Sequence, residues 1–203
     1  MVRYSPILGA RASFPEPAYA FVMQEMAAPH RHYHTAQHLA LMLMQLKLDL
    51  TKVLNHEERH LFAATMFHDV VYDPASTLNE ERSAVAARKH LRGLEFDLDR
   101  LEELILATKS HALGSITDET TRRLVRADLS ILWTTNPRTY AWYARGIRQE
   151  YAFAPSEAYK AGRTKLLRKF EAEIAPHIDP AEAEVMSRNI AWEISMLEEG
   201  KIA

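Results

Sequence analysis

Apolar residues recur along most of the chain every three or four positions, which is the spacing of one face of an α-helix. The strict alternation of apolar and polar residues that would predict strands is hard to find, and only 6 glycines occur. The pattern therefore predicts an all-α fold, a single bundle of about eight to nine helices. We place these helices at about residues 16–28, 36–50, 56–71, 79–93, 97–110, 118–132, 137–151, 156–174 and 180–200.

Residues that cap helices stand at several of the predicted starts. Thr35 and Asn79 precede or open the second and fourth helices, where a short polar side chain can accept hydrogen bonds from free backbone N–H groups. Asn136 and Asp179 each precede a proline at the first helical position, and Glu182 completes a capping box with Asp179. These signals support the helix positions that the periodicity predicts.

Five histidine and aspartate side chains interrupt the apolar faces of these helices. His38, His68, Asp69, His111 and Asp128 all lie three, four or seven positions from apolar residues, so they should point with the core. A single histidine of this kind is more often a satisfied core residue than a metal ligand. An interior carboxylate, however, needs a cation, a donor network or a proton. Two or three histidines and two aspartates meeting in one helical core therefore predict a bound divalent metal.

Composition limits the other classes of function. The 203-residue chain has a formal net charge of -2, which gives no general attraction for nucleic acid or for an anionic membrane surface. Cysteine is absent, which excludes disulfides, thiolate metal sites and cysteine nucleophiles. Arg3 and Arg11 interrupt the N-terminal segment before an apolar run reaches the length of a signal peptide or a membrane span. We therefore expect a cytoplasmic protein that binds neither nucleic acid nor membrane.

The candidate ligands resemble the pattern of the HD superfamily of metal-dependent phosphohydrolases, which is a histidine, a histidine–aspartate pair and a distant aspartate. His38, His68, Asp69 and Asp128 match that pattern in order. The flanking residues are similar to a bacterial subgroup of predicted HD phosphohydrolases over most of the chain, from about residue 15 to 200. The matching strings run from Tyr33 to Leu39, Phe67 to Asp73, Asn79 to Ala84, Ala127 to Leu132, Ile147 to Tyr151 and Gly162 to Arg163.

The resemblance implies that His38, His68, Asp69 and Asp128 bind one or two divalent ions. Mixed imidazole and carboxylate ligands suit Mn, Fe, Co, Ni or Zn better than Mg or Ca. The implied activity is hydrolysis of a phosphate ester, of a nucleotide or another small phosphorylated metabolite, by water that the metal activates. Residues 1–203 would then form one HD-type domain, with a core at about 15–135 and C-terminal helices at about 137–200 packing over the site.

The string from Tyr33 to His38 also looks like the Tyr-His-Asn-x-x-His signature of cyclic nucleotide phosphodiesterases, a distant branch of the same fold. In those enzymes the first histidine is the acid that protonates the leaving group, which makes His34 the corresponding candidate here. Thr35 replaces the asparagine of that signature, and the glutamine and substrate-clamping aromatics of those enzymes cannot be placed in this chain. Hydrolysis of a cyclic nucleotide is therefore disfavoured.

Other polar residues are candidates for catalysis or for contact with the phosphate. Asp69 is expected to act in catalysis as well as in metal binding, and Glu80 is expected to orient the nucleophilic water. His111 is a candidate for contact with the phosphate or with a second metal. Lys109, two residues earlier, is a further candidate for substrate binding.

Three arginines in a segment rich in aromatic residues are candidates for binding the substrate phosphate. Arg145, Arg148 and Arg163 can each offer a bidentate fork to a phosphoryl group. The alternative for any one of them is a solvated helix face or an ion pair with an acid on a neighbouring helix. The expected partner of the protein is thus a small phosphorylated substrate, and no oligomeric state is predicted.

Two further classes of function stay open. One is an HD-type di-iron oxygenase, which would use a similar histidine and aspartate shell with a second metal. The other is a non-catalytic sensor that binds a nucleotide or a metal through the same residues. Metal content with an oxygen-consumption assay would distinguish the first class, and tight ligand binding without turnover would distinguish the second.

Overall fold

The computed structural model describes residues 14–202, and every regular element within that range is helical. Nine α-helices in this part of the chain confirm the predicted all-α class. Residues 1–13, where the sequence predicted no signal peptide, lie outside the described residues. The helices are α1 (Glu16–Met26), α2 (Ala36–Leu46), α3 (His56–Phe67), α4 (Asn79–Leu91), α5 (Leu98–Ser110), α6 (Glu119–Leu129), α7 (Pro137–Glu150), α8 (Ser156–Ile174) and α9 (Pro180–Glu198). Short 3₁₀ turns occupy Leu113–Ser115, Ser130–Trp133 and Ala175–His177.

Most of the predicted caps are present. Thr35 and Asn136 accept hydrogen bonds from backbone N–H groups in the first turns of α2 and α7, and Asp179 forms the predicted capping box on α9. Asn79 does not cap α4, so that prediction is wrong. Its side chain instead accepts from the backbone N–H of Asp73 at 3.0 Å and donates to the carbonyl oxygen of Asp73 at 2.9 Å, which ties down the preceding loop.

Two helices end earlier than the periodicity predicted. α2 ends at Leu46, because Lys47 adopts a left-handed conformation with φ of 52°. α3 ends at Phe67 rather than near residue 71. Beyond that point the backbone N–H of Val71 donates to the hydroxyl of Ser83 at 3.1 Å, and a buried arginine takes the carbonyl groups of the preceding residues. Side chains from other parts of the chain thus replace the hydrogen bonds that would have continued the helix.

The described residues form two compact units. The first runs through His111 and includes Thr117–Asp128, and the second contains Ala112–Ile116 and the chain from Leu129 onward. The expectation of one domain with its C-terminal helices over the site stays a prediction. No helix within residues 14–202 combines the length and the apolar character needed to cross a membrane.

α3 is the central helix of the first unit. All its residues from His60 to Phe67 are buried, and it packs against α2, α4 and α5. A helix that is enclosed on every side has no solvent-facing stripe, in contrast to an amphipathic surface helix. Because the helix is enclosed, the residue that follows its last turn, His68, is delivered into the interior.

A buried ion pair joins three helices of the second unit. Arg163 of α8 donates from Nε to Glu193 Oε1 of α9 at 2.7 Å and from Nη2 to Glu193 Oε2 at 3.3 Å. The hydroxyl of Tyr140 in α7 donates to the same Oε2 at 2.8 Å. A buried carboxylate is tolerated when donors surround it in this way. The pair therefore serves as a polar connection between helices in the core of this unit.

Candidate metal centre

His38 enters the interior from the first turn of α2. Thr35 caps this helix by accepting a hydrogen bond from the backbone N–H of Gln37 at 3.3 Å, which fixes where the helix begins. The side chain of His38 is only 2% exposed, and the ring of Tyr33 lies 4.9 Å from it between centroids. A ring buried this deeply requires polar partners for its nitrogens.

His68 follows the last residue of α3, and the backbone of its own helix fixes the orientation of its ring. Nδ1 lies 2.9 Å from the carbonyl oxygen of Thr65, which only accepts hydrogen bonds, so Nδ1 carries a proton. Nε2 points the other way, towards Oδ2 of Asp69 at 3.0 Å. In the neutral ring this Nε2 is a bare lone pair, which is the state that binds a metal.

Four side chains, from two helices and the segment after α3, converge on a small volume of the first unit. The Nε2 atoms of His38 and His68 are 3.2 Å apart, and Asp69 Oδ2 lies 3.8 Å from the first and 3.0 Å from the second. Asp128 of α6 adds Oδ1 at 3.2 Å from His38 Nε2 and 3.7 Å from His68 Nε2. The structure thus brings together all four residues that the sequence proposed as ligands.

The buried charges of the cluster favour a positive charge among them. Burial lowers the pKa of His38, whereas for His68 the opposing effect of the Asp69 and Asp128 carboxylates outweighs burial and raises the pKa well above its usual range. Burial would raise the pKa of both carboxyl groups, but the neighbouring histidines hold both values below their usual range. The site therefore favours two carboxylates with a cation between them, which is a proton on His68 or a metal ion.

The separations that involve the two histidines fit a metal ion, and the ligand atoms of His38, His68 and Asp69 all lie within 4.8 Å of one another. Two ligand atoms bonded to one ion at about 2.0–2.1 Å, with angles of about 90–110°, lie about 2.8–3.4 Å apart. Three separations in the cluster, 3.0, 3.2 and 3.2 Å, fall in this range. The other two histidine–carboxylate separations, 3.7 and 3.8 Å, correspond to wider angles of about 125–145°. The nitrogen and oxygen donors also match the ligand preferences of Mn, Fe, Co, Ni and Zn.

Two more histidines lie next to the four proposed ligands, each near one of the two carboxylates. Nε2 of His34, whose side chain is 19% exposed, is 3.9 Å from Asp69 Oδ2, and its ring stacks on Tyr72 with centroids 4.2 Å apart. His111 ends α5 in a left-handed conformation with φ of 53°, and its Nε2 lies 3.4 Å from Asp128 Oδ2. Each histidine therefore contacts one carboxylate of the cluster and remains partly accessible to solvent.

Glu80 and Lys109 pair with each other rather than joining the convergent atoms. Nζ of Lys109 lies 3.9 Å from Glu80 Oε2, donates to the carbonyl oxygen of Thr77 at 2.5 Å, and forms an ion pair with Glu81. These contacts link α4 to α5. The water-orienting role of Glu80 and the substrate role of Lys109 stay predictions.

The three arginines proposed for substrate binding all belong to the second unit. Arg145 is exposed on α7. Arg148 donates to the carbonyl oxygen of Tyr151 at 3.0 Å and to the hydroxyl of Ser156 at 3.4 Å. Arg163 forms the buried pair with Glu193, so the alternative of an ion pair with a neighbouring helix accounts for it. A substrate role for Arg145 and Arg148 stays a prediction.

The sequence interpretation missed Arg31. It lies in the loop between α1 and α2, where periodicity gives no signal, yet its side chain is buried and donates to three backbone carbonyl groups. The only available sign was an arginine placed three residues before His34.

Comparison of the chain with models of known families, with curated proteins and with solved structures found no match.

Proposed function

We propose that the chain is a metal-dependent phosphohydrolase that cleaves the ester of a nucleotide or another small phosphorylated metabolite. The observation that carries the proposal is the convergence of two imidazole Nε2 atoms, 3.2 Å apart, with two carboxylates that each lie 3.0–3.8 Å from both of them, in the interior of the first unit. The order of these residues along the chain, which resembles the HD superfamily, supports hydrolysis of a phosphate ester as the reaction class.

His38, His68, Asp69 and Asp128 would hold the metal. When bound, a divalent ion of this kind lowers the pKa of a coordinated water and polarises a phosphoryl oxygen. His68 is suited to this task because its Nδ1–H bond to Thr65 fixes the direction of the ring and leaves Nε2 as the ligand atom once the ring is neutral. The two carboxylates offset the charge of the ion in a site that is otherwise buried.

His34 would donate a proton to the leaving group. Hydrolysis forms a bond from phosphorus to the water oxygen and breaks the bond to the leaving oxygen, which must gain a proton. Histidine is the side chain that most readily gives up and takes a proton near neutral pH, and Nε2 of His34 lies 3.9 Å from Asp69 Oδ2. Its stacking on Tyr72 holds the ring beside the cluster, where it can donate that proton.

The test combines metal analysis with a substrate panel. The purified chain is stripped with a chelator, reloaded with Mn, Co or Ni, analysed for bound metal, and assayed for phosphate release from nucleotides and sugar phosphates. We expect one or two ions per chain and hydrolysis that chelation abolishes. His38→Gln should lose both properties, whereas His32→Gln, at an exposed position in the same unit, should keep both.

The same samples separate the competing functions. Wild-type protein that retains no metal, or that retains metal yet releases no phosphate from any ester, contradicts the proposal. Oxygen consumption by the iron-loaded protein would instead support the oxygenase class. Tight binding of a panel member without turnover would support a sensor.

A further inference from the structure

Arg31 is a buried cation that donates three hydrogen bonds to backbone carbonyl groups around the candidate metal centre. Its side chain is 5% exposed. Nη1 donates to the carbonyl oxygen of His34 at 3.1 Å and to that of Asp69 at 2.7 Å. Nη2 donates to the carbonyl oxygen of Val70 at 2.8 Å. One guanidinium group thus joins two segments that lie 35 positions apart, one carrying the proposed acid and the other a proposed metal ligand.

The helix that precedes Asp69 and Val70 cannot supply N–H donors to their carbonyl groups, which Arg31 binds. Asp69 and Val70 follow the last turn of α3, so no later helical turn can supply N–H groups to their carbonyl oxygens. Val70 is fully buried, and an unsatisfied buried carbonyl group is costly. The fork of the guanidinium supplies donors from two separate nitrogens to this turn. A lysine could supply donors from one nitrogen only.

Tyr72 connects Arg31 to His34 a second time. The guanidinium carbon of Arg31 lies 5.4 Å from the centroid of the Tyr72 ring, and that ring also stacks on His34. The carbonyl oxygen of Tyr72 is 3.0 Å from Nε2 of His30. The direction of the Asp69 carboxylate and the position of the His34 ring therefore depend on the same backbone turn, which Arg31 holds in place.

We propose that Arg31 is a positioning residue, which sets the geometry of Asp69 and His34 through their backbone and thereby the metal affinity of the site. This inference rests on the proposed metal centre. Residues that orient metal ligands without touching the ion typically account for about 10–100-fold in affinity. We therefore expect Arg31→Lys, which keeps the charge but loses the fork, to raise the dissociation constant for Co²⁺ by at least about tenfold.

The matched control is Arg123→Lys. Arg123 of α6 also donates to a backbone carbonyl at the end of a helix, from Nη2 to the carbonyl oxygen of Leu46 at 3.1 Å, in the same unit. It lies five residues from Asp128 along α6 and contacts none of the four proposed ligands through that bond. Arg123→Lys should lower thermal stability. It should leave the Co²⁺ affinity within about twofold of wild type, because the hydrogen bonds that orient the proposed ligands are unchanged.

Two measurements on the wild type and both variants test the proposal. Co²⁺ affinity is measured by competition with a chelator, and the visible absorption spectrum of the Co²⁺-loaded protein reports the ligand geometry. Hydrogen exchange on the metal-free protein is followed for peptides covering residues 31–36 and 68–73. Exchange should accelerate in both peptides in Arg31→Lys, because the amides of Val70 and Val71 are held in the turn that Arg31 supports.

The outcomes separate this inference from the proposed function. Wild-type protein that binds no Co²⁺ contradicts the metal centre and, with it, the role of Arg31 in metal affinity. Wild-type protein that binds Co²⁺, with Arg31→Lys showing the same affinity, spectrum and exchange, contradicts the inference alone. A fall in thermal stability in Arg31→Lys without a change in affinity or spectrum would reduce Arg31 to a structural residue and would equally overturn it.

Discussion

Replacing Asp128 by asparagine should remove most of the stability that the protein gains from metal. Oδ1 of Asp128 faces His38 and His68 at 3.2 and 3.7 Å, and Oδ2 lies 3.4 Å from His111. Asparagine keeps the shape of the side chain but carries no charge, so a divalent ion would lose one of its two anionic ligands. We expect the dissociation constant to rise about 100-fold, because removing a charged ligand should cost at least as much as removing a group that only supports a ligand, which costs about 10–100-fold.

The consequence for stability follows from mass action. Metal at 100 times the wild-type dissociation constant stabilises the folded protein by about 2.7 kcal/mol, and the same concentration would stabilise Asp128→Asn by only about 0.4 kcal/mol. For a chain of this size 1 kcal/mol corresponds to roughly 2–4 °C in Tm. Metal should therefore raise the Tm of the wild type by roughly 5–11 °C and that of the variant by about 1–2 °C.

The assay is thermal unfolding of each protein with and without Co²⁺ or Mn²⁺, so that each variant is compared with its own metal-free state. Asp97→Asn is the matched control, because it removes one charge from an exposed helix cap where asparagine caps as well as aspartate. Equal metal-induced shifts in Asp128→Asn and wild type would refute the assignment of Asp128 as a ligand. A wild type without any shift would refute the metal centre itself.

Three further predictions follow from the contacts. His34→Ala should retain metal but lose about 10²–10⁴ in turnover of esters with poor leaving groups, while nitrophenyl phosphate suffers much less; equal losses on both would exclude the acid role. Asp118→Ala should cost about 1 kcal/mol at pH 7, because Asp118 accepts from the N–H and hydroxyl of Thr121 at the start of α6. Those bonds, together with Arg100, lower the pKa of Asp118 from 3.8 to about 2. In urea titrations the stability difference between wild type and Asp118→Ala should therefore be constant above about pH 4 and should shrink as the pH falls from about 4 towards 2. Glu193→Ala should cost about 3–5 kcal/mol in urea unfolding, because Arg163 would be left buried and unpaired, and a loss below about 1 kcal/mol would contradict that account.

The helices and the inward-facing polar groups were predictable because both leave a periodic trace in the sequence. A buried helix face repeats every three to four residues, and His38, His68 and Asp128 were found because each places a polar group on such a face. The convergence of these groups then followed from the number of helices that aim one inward. Local capping was predictable for the same reason at Thr35 and Asp179, where donor and acceptor are neighbours in sequence.

Features that depend on distant partners were not predictable in this way. α3 stops at Phe67 because Arg31, Ser83 and other side chains take over the backbone groups that a longer helix would have used. Asn79 has the composition of a helix cap, yet its amide bonds the backbone of Asp73 in the preceding loop. In both cases the local sequence favoured one structure, whereas hydrogen bonds formed outside the predicted helix stabilised a different one.

Arg31 and Arg163 show what decides the role of a residue once its type is known. Both are buried arginines, and the sequence favoured Arg163 because it falls in a string resembling a phosphohydrolase subgroup. The structure pairs Arg163 with the carboxylate of Glu193, so its charge is already neutralised. Arg31 instead donates to neutral carbonyl groups, those of Asp69 and Val70, and in our proposal its fork sets where Asp69 lies. The chemistry of a buried arginine thus follows from the acceptor it meets, which only the fold specifies.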